Sequence, residues 1–340
     1  MGVMQATAIA ACLLAGIVTV APASAQSDTS SRWYFDAEAL FLKRDRGDDV
    51  VLGQEFSAAT GALVNQISSH SVRYDFEPGA RFRLGYRLSD GAAVDLTYFG
   101  LNEWQESAVL GNSNPAGPNP MTSPGLIGTP NFLTRVDSIV AQMSSDINNI
   151  ELSFRQRLGS DRTRLTTGVR YLRFDDELII RADGIGGAGA SVFDQSVVQA
   201  RNELLGVQLG LDHIFGEERF TVQVFGSAGI YHNWNEQSVR EVSNGFFGGV
   251  FANVEGDDTR ATGMFELGLS ASYRPHKNVS VIGGYQLMSL HGIALAPKQL
   301  DFVSGNSNTA TPVTNLSAGT RDSSNLLFQG LHVGLRIDWR

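Results

Sequence analysis

The sequence predicts an all-β fold: a single closed antiparallel transmembrane β-barrel of about ten strands, with long extracellular loops and short periplasmic turns. Three observations predict it. Segments of about ten residues alternate apolar and polar, the period-two signature of a sheet with two unlike faces. Short and long links alternate strictly between those segments, as in outer-membrane barrels. The polar face carries Arg and carboxylates but almost no Lys, and the chain has three lysines, Lys43, Lys277 and Lys298. A solvated face uses Lys freely, whereas Arg with carboxylates suits an enclosed, hydrogen-bonded interior.

Each strand follows from its alternation. In the first, Trp33, Phe35, Ala37, Ala39 and Phe41 oppose Asp36 and Glu38. Phe82, Leu84 and Tyr86 oppose Arg81, Arg83 and Arg87 in the second. Val94, Leu96 and Tyr98 oppose Asp95 and Thr97 in the third. Ile150, Leu152 and Phe154 then oppose Glu151, Ser153 and Arg155, and Leu165, Thr167, Val169 and Tyr171 oppose Arg164, Thr166 and Arg170. The sixth sets Leu205, Val207, Leu209 and Leu211 against Gln208 and Asp212. Phe220, Val222 and Val224 carry the seventh, and Phe265, Leu267, Leu269 and Tyr273 oppose Glu266 in the eighth. Val279, Val281, Tyr285 and Leu287 mark the ninth. The last sets Leu331, Val333, Leu335, Ile337 and Trp339 against His332, Arg336 and Asp338. Aromatics such as Trp33, Tyr34, Tyr86, Tyr98, Tyr171, Tyr285 and Trp339 fall toward strand ends, where interface girdles lie.

The short links are Ser89 to Ala92, Gly159-Ser160-Asp161, Gly216-Glu217-Glu218 and Pro275-His276-Lys277. The long ones are 44–79, 102–146, 178–200, 232–261 and 289–323. Twelve strands is the nearest alternative, should a long link hide another hairpin. Asn112 to Pro130, rich in Pro, reads as an irregular surface excursion.

Residues 1–25 read as a secretory signal peptide. Ala8 to Val20 is the apolar core and Ala23-Ser24-Ala25 the cleavage pattern, although no Lys or Arg precedes the core. A lead, 26–32, then precedes a barrel of residues 33–340. The one cysteine, Cys12, falls inside the signal, so the mature chain is expected to hold no disulfide or thiol chemistry. After residue 25 no stretch is long and apolar enough for a membrane-spanning helix. The net charge of −9 argues against a nucleic-acid partner.

Several stretches are similar to the type-seven β-barrel porin family of planctomycetes. They are Trp33-Tyr34-Phe35-Asp36-Ala37-Glu38-Ala39-Leu40-Phe41-Leu42, Pro78-Gly79-Ala80-Arg81-Phe82, Gly168-Val169-Arg170-Tyr171-Leu172, Asn202-Glu203-Leu204-Leu205-Gly206 and Gly283-Gly284-Tyr285-Gln286-Leu287. The resemblance implies an outer-membrane barrel and no settled substrate.

The expected lumen lining is Asp36, Glu38, Arg81, Arg83, Asp95, Glu151, Arg155, Arg164, Arg170, Glu203, Gln208, Glu266 and Arg336. Free, the arginines would bias a pore toward anions. The favoured expectation is that they pair with the carboxylates and fill the lumen, since barrels of this strand number leave little more room than side chains need. Porin-like passage of small hydrophilic solutes is the first functional expectation. A plugged barrel whose loops bind partners is the second. Membrane lipid is the expected surround, and no cofactor, metal or enzymatic role is expected. Among catalytic candidates, Asp212-His213 adjoins a short turn, His332 faces inward, and Ser289 with His291 lies near the outer rim without a third group to orient the imidazole. A rim hydrolase therefore ranks last of the three readings, and the chain is expected not to be an enzyme. Glu255-Gly256-Asp257-Asp258 lacks the spaced oxygen ligands of a calcium loop and reads as a solvated acidic loop.

Overall fold

The computed structural model describes residues 32–339 apart from 115, 127–132, 160–161, 187–188, 218, 245–248, 301–312 and 318. The expected signal peptide lies outside the described residues. In chain order the strands are β1 (Trp33–Arg44), β2 (Val51–Phe56), β3 (Leu63–Ser68), β4 (Glu77–Ser89), β5 (Ala92–Gly111), β6 (Met121–Thr122), β7 (Leu133–Arg157), β8 (Thr163–Gly186), β9 (Ser191–Glu217), β10 (Phe220–Ser243), β11 (Gly249–His276), β12 (Val279–Ile293), β13 (Val313–Ser317) and β14 (Ser324–Trp339). A single turn of helix, α1 (Ala296–Gln299), follows β12.

Among the described residues, ten strands close a ring in the order β1-β4-β5-β7-β8-β9-β10-β11-β12-β14. All these pairings are antiparallel, and β1 with β14 completes the circle, Trp33 standing opposite Trp339. Closure leaves no edge strand in the ring, the condition for a sheet in hydrocarbon. The expected ten strands and short turns are therefore present. The hairpin hidden in the first long link, β2–β3, does not join the ring; it forms a separate three-stranded sheet with β6.

The long links differ from expectation. Residues 102–146, 178–200 and 232–261 are mostly strand, and β7 to β11 run 24 to 28 residues each. The cause is an inversion of pattern along each strand. On β8, Leu165, Val169 and Tyr171 point outward with Arg164 and Arg170 inward. One residue later the apolar set changes face: Leu172, Phe174, Leu178, Ile180 and Ala182 are inward and fully buried, with Arg173, Asp175, Glu177, Arg181 and Asp183 outward. The same reversal occurs between Glu38 and Leu40 on β1, Ile150 and Ile147 on β7, Leu205 and Leu204 on β9, and Leu331 and Phe328 on β14. An apolar exterior suits lipid and a charged exterior suits water. The lower barrel is thus the membrane-spanning part, and the upper barrel is a collar standing in water. The outward apolar stretch runs from seven residues on β8 (165–171) to nine on β1 (33–41) and β14 (331–339), close to the length a tilted transmembrane strand needs.

The collar is filled. Leu40, Leu42, Leu101, Trp104, Ile139, Ile147, Phe174, Leu204 and Phe328 form one buried apolar cluster with Leu52, Val72 and Tyr74 from the first link and Ala294, Leu295, Ala296 and Leu300 around α1. The β2–β3 sheet lies within it: a Cβ added at Gly53 would meet Ile139 of β7 at 3.2 Å. A bulge between Leu101 and Trp104, with Glu103 at φ 64°, keeps Trp104 inward, where its indole donates to the Leu42 carbonyl at 3.0 Å. Leu126, inside the supposed surface excursion, is buried in the same cluster.

At the centre of this plug Arg44 and Asp176 form an ion pair at 2.6 Å, both side chains fully enclosed. Asp176 also accepts from Ser145 Oγ and the Ala296 backbone N–H, each at 2.9 Å. The Arg44 guanidinium lies over the Tyr74 ring at 4.4 Å. One carboxylate therefore ties β1, β7 and β8 to the segment that carries α1.

Candidate functional site

Below the plug the lumen is a polar chamber of about 370 Å³. Alternation along the strands aims its side chains inward. Of the thirteen residues expected to line it, twelve do: Asp36, Glu38, Arg81, Arg83, Asp95, Glu151, Arg155, Arg164, Arg170, Gln208, Glu266 and Arg336. Glu203 does not. It shares the parity of Leu205 and Val207, faces outward and stands opposite Arg173, just above the lipid-facing band.

The arginines are paired. Arg336 grips Asp36 with both prongs, Nε and Nη2 each 2.6 Å from a carboxylate oxygen. Arg83 approaches Asp36 at 3.5 Å. Arg170 bridges β7 and β11, meeting Glu151 at 2.6 Å and both Glu266 oxygens at 2.9 Å. Arg155 pairs with Asp95, Arg81 with Glu38 at 3.4 Å, and Arg164 with Asp212 at 3.0 Å. The chamber wall is therefore cross-braced rather than left as a field of free cations. Forked guanidinium–carboxylate pairs hold their geometry tightly, and in a low-dielectric wall a lone member would be costly.

Three participants stand outside the expected lining, two of them, Asp212 and Asp338, on faces the alternation had already marked as polar. Tyr34, assigned to the girdle, faces inward and is 2% exposed; its hydroxyl donates to Asp95, and the Arg87 and Arg336 guanidinium groups lie 4.7 and 4.9 Å from its ring. Its even number, shared with Asp36 and Glu38, was the signal that placed it inside. Asp212 and Asp338 close pairs with Arg164 and Arg87, the latter at 2.6 Å. His332, read as inward, is buried with Nδ1 2.6 Å from Glu38.

The remaining candidates separate. His213 lies by the short-turn end, its Nδ1 2.9 Å from Thr163 Oγ1. Glu255 to Asp258 belong to β11 and pair with β10, Gly256 opposite Gln237, so they are wall rather than loop. At the outer rim Ser289 Oγ is 2.9 Å from His291 Nε2, and His291 Nδ1 is 3.1 Å from Asn325 Oδ1. The missing third group is thus present, supplied by the neighbouring strand.

On the collar's exterior an open groove of about 950 Å³ is lined mainly by charged and amide side chains of β7 to β11, among them Arg173, Asp175, Arg201 and Glu236.

Comparison with known proteins adds the family. The family described as putative beta barrel porin-7 matches over residues 46–339. Among solved structures, the chain is similar to the outer membrane protease OmpT from Escherichia coli at 12% identity and a TM-score of 0.46, covering 93% of this chain and 99% of that one. The translocator domain of the autotransporter NalP from Neisseria meningitidis gives 12% and 0.37, with 99% and 95% covered. The Pseudomonas putida toluene transporter TodX gives 12% and 0.31, with 91% and 89% covered. No curated protein matches.

Proposed function

The chain belongs to the β-barrel porin-7 family of outer-membrane barrels, and on that premise we propose a porin-like passage for small hydrophilic solutes that the apolar plug holds shut. The observation that carries this is the layering of the lumen. A polar chamber lies at membrane depth, and above it sits a continuous cluster including Leu42, Trp104, Phe174 and Phe328, none more than 1% exposed. Such a layer admits neither ions nor hydrated solutes, because desolvating them without compensation costs several kcal/mol or more. Passage then requires α1 and its flanks to leave the collar. The braced chamber wall, with its opposite charges held in fixed pairs, favours no strong ion selectivity once open.

Single-channel recording in planar bilayers tests this. Long closed intervals with rare openings of low ion selectivity are expected from the folded chain. A steady large conductance would refute the plug as a gate. So would a strongly anion-selective current, which would mean that the arginines are free.

A second reading has its own observation, the charged groove on the collar's exterior. If the barrel never conducts, even with the plug loosened, that groove and the rim become its working surface. Loss of partner capture on replacing Arg173 and Arg201, with folding intact, would then support the interaction role.

A further inference from the structure

We propose that Ser289, His291 and Asn325 form a serine-hydrolase site on the outer wall of the barrel, acting on carboxylic esters of acyl lipids at the membrane–water boundary. Ser289 and His291 are two residues apart on β12, so both side chains project from the same face. Asn325 on β14 stands directly across from His291, a cross-strand position that brings the two side chains within reach. The contacts run in one line: Ser289 Oγ to His291 Nε2 at 2.9 Å, and His291 Nδ1 to Asn325 Oδ1 at 3.1 Å. The amide oxygen can only accept, so it selects the tautomer with hydrogen on Nδ1. That leaves the Nε2 lone pair facing the serine hydroxyl. Nucleophile, base and orienting group are thus in the relation that activates a serine.

The position in the barrel names the substrate class. Ser289 is the first polar outward residue above Tyr285 and Leu287 on β12. Its cross-strand neighbours are Phe265 on β11 and Leu327 on β14. Phe265, half exposed, also meets the imidazole edge-on at 5.6 Å. Below lie Leu267 and Leu331, both well exposed to lipid. An acyl chain lying against this band brings its ester, at the top of the hydrocarbon, to the height of Ser289. Gly263 stands opposite His291 on the other side, and a Cβ there would meet nothing nearer than the Phe265 ring at 3.9 Å. The imidazole is therefore open to the approach of a headgroup. Beside it the β12–β14 register shifts at Gly292, whose φ is 77°. A bulge of this kind takes one residue out of the ladder, and here the Gly292 carbonyl accepts from Thr262 Oγ1 at 3.0 Å.

The chemistry balances with water as the only co-reactant. Ser289 Oγ adds to the ester carbonyl carbon as its proton passes to His291 Nε2. Collapse of the tetrahedral intermediate breaks the bond to the alcohol oxygen, which leaves with that proton as the lyso-lipid. Water, deprotonated by Nε2, adds to the acyl-serine, and the fatty acid departs as Oγ regains a proton. Asn325 holds the imidazole throughout and is a positioning residue.

A long-chain fluorophosphonate on the folded, detergent-solubilised barrel tests the site without reference to gating or bilayer insertion. One covalent adduct is expected, mapped by mass spectrometry to Ser289. S289A should abolish it, and H291A should slow its formation by about 10²-fold or more, the scale of a triad member acting with its partners. N325A should slow it less, and N325D should restore it. Release of fatty acid from phosphatidylcholine micelles should follow the same order. All three side chains are on the surface, so the variants keep the compact gel mobility of a folded barrel, and loss of labelling then reports the site rather than the fold. No adduct on the folded native chain, or an adduct that persists in S289A, would overturn the proposal.

Discussion

Removing the Asp176 carboxylate should unlatch the plug while leaving the barrel standing. Asp176 is fully enclosed, 2.6 Å from the equally enclosed Arg44, and also receives Ser145 Oγ and the Ala296 N–H. In Asp176→Ala the guanidinium stays buried with no counter-charge, and breaking a buried pair in this way costs about 3–5 kcal/mol. The barrel itself is held by ten backbone ladders; Asp176 stands in two of them on β8, opposite Ser145 and Ala200, and its side chain takes no part in either. The system can therefore relieve the cost locally, by letting α1 and the Tyr74 segment swing out and water reach Arg44. The closed-to-open ratio of the plug should fall by about two to nearly four orders of magnitude, since each 1.4 kcal/mol is a factor of ten. Planar-bilayer recording should show this as a large rise in open probability, with limited proteolysis cutting near residues 294–300. The double variant Arg44→Met/Asp176→Leu, which replaces the pair with apolar bulk, should close again, because a hydrophobic substitute for a buried pair is often neutral or stabilising. An Asp176→Ala barrel as closed and protease-resistant as the native one would refute the latch. So would a double variant as open as the single.

Three further outcomes follow from the same layering. Leu209→Arg, in the middle of the outward apolar band, should destabilise insertion into vesicles by about 2–4 kcal/mol. Val109→Arg, equally outward but on the collar, should change stability by no more than about 0.5 kcal/mol; equal effects in a urea-folding assay would mean that the lipid boundary is misplaced. Gly85→Leu should disorder the chamber, because a Cβ there runs into the Tyr34 ring and displaces the hydroxyl that Asp95 and Arg155 share; unchanged tyrosine fluorescence and stability would count against it. Glu55, in the sheet of the first link, has its carboxyl pushed up by burial but pulled down further, to about 2, by hydrogen bonds from Ser113, Asn119 and Asn65. Its contribution is complete above its ordinary value near 4.5 and fades as pH falls toward 2. Amide exchange in residues 51–68 should therefore accelerate across that interval in the native chain and show no such step in Glu55→Gln.

The membrane-spanning half was legible because one physical rule governs it over its whole height. Odd and even residues meet different solvents, and the parity of Leu165, Val169 and Tyr171 against Arg164 and Arg170 states which is which. Twelve of the thirteen lining residues follow from that rule, and the exception arises where it stops applying. Glu203 is polar, which predicts a lumen position, yet it lies on the outward face of β9 just above Leu205, where the outside has become water and polarity no longer marks the inside. The same change of solvent hid the collar. Tyr171 and Leu172 are adjacent and apolar on opposite faces, a phase slip that resembles the end of a strand, although the backbone continues unbroken to Gly186. A reader tracking polarity sees two short patterns, while the chain forms one long strand whose surroundings exchange. The plug was beyond reach for a different reason: Arg44, Tyr74, Asp176 and Ala296 are distant in sequence, and only closure of the ring brings them together. The rim triad needed a cross-strand register instead. Ser289 and His291 are visible as a pair two residues apart, but Asn325 becomes their partner only through the β12–β14 register. Where the solvent is uniform, alternation alone therefore specifies the site, and at the boundary between solvents the tertiary register decides it. That boundary is also where this barrel places its rim cluster, with the latch of the plug just above it.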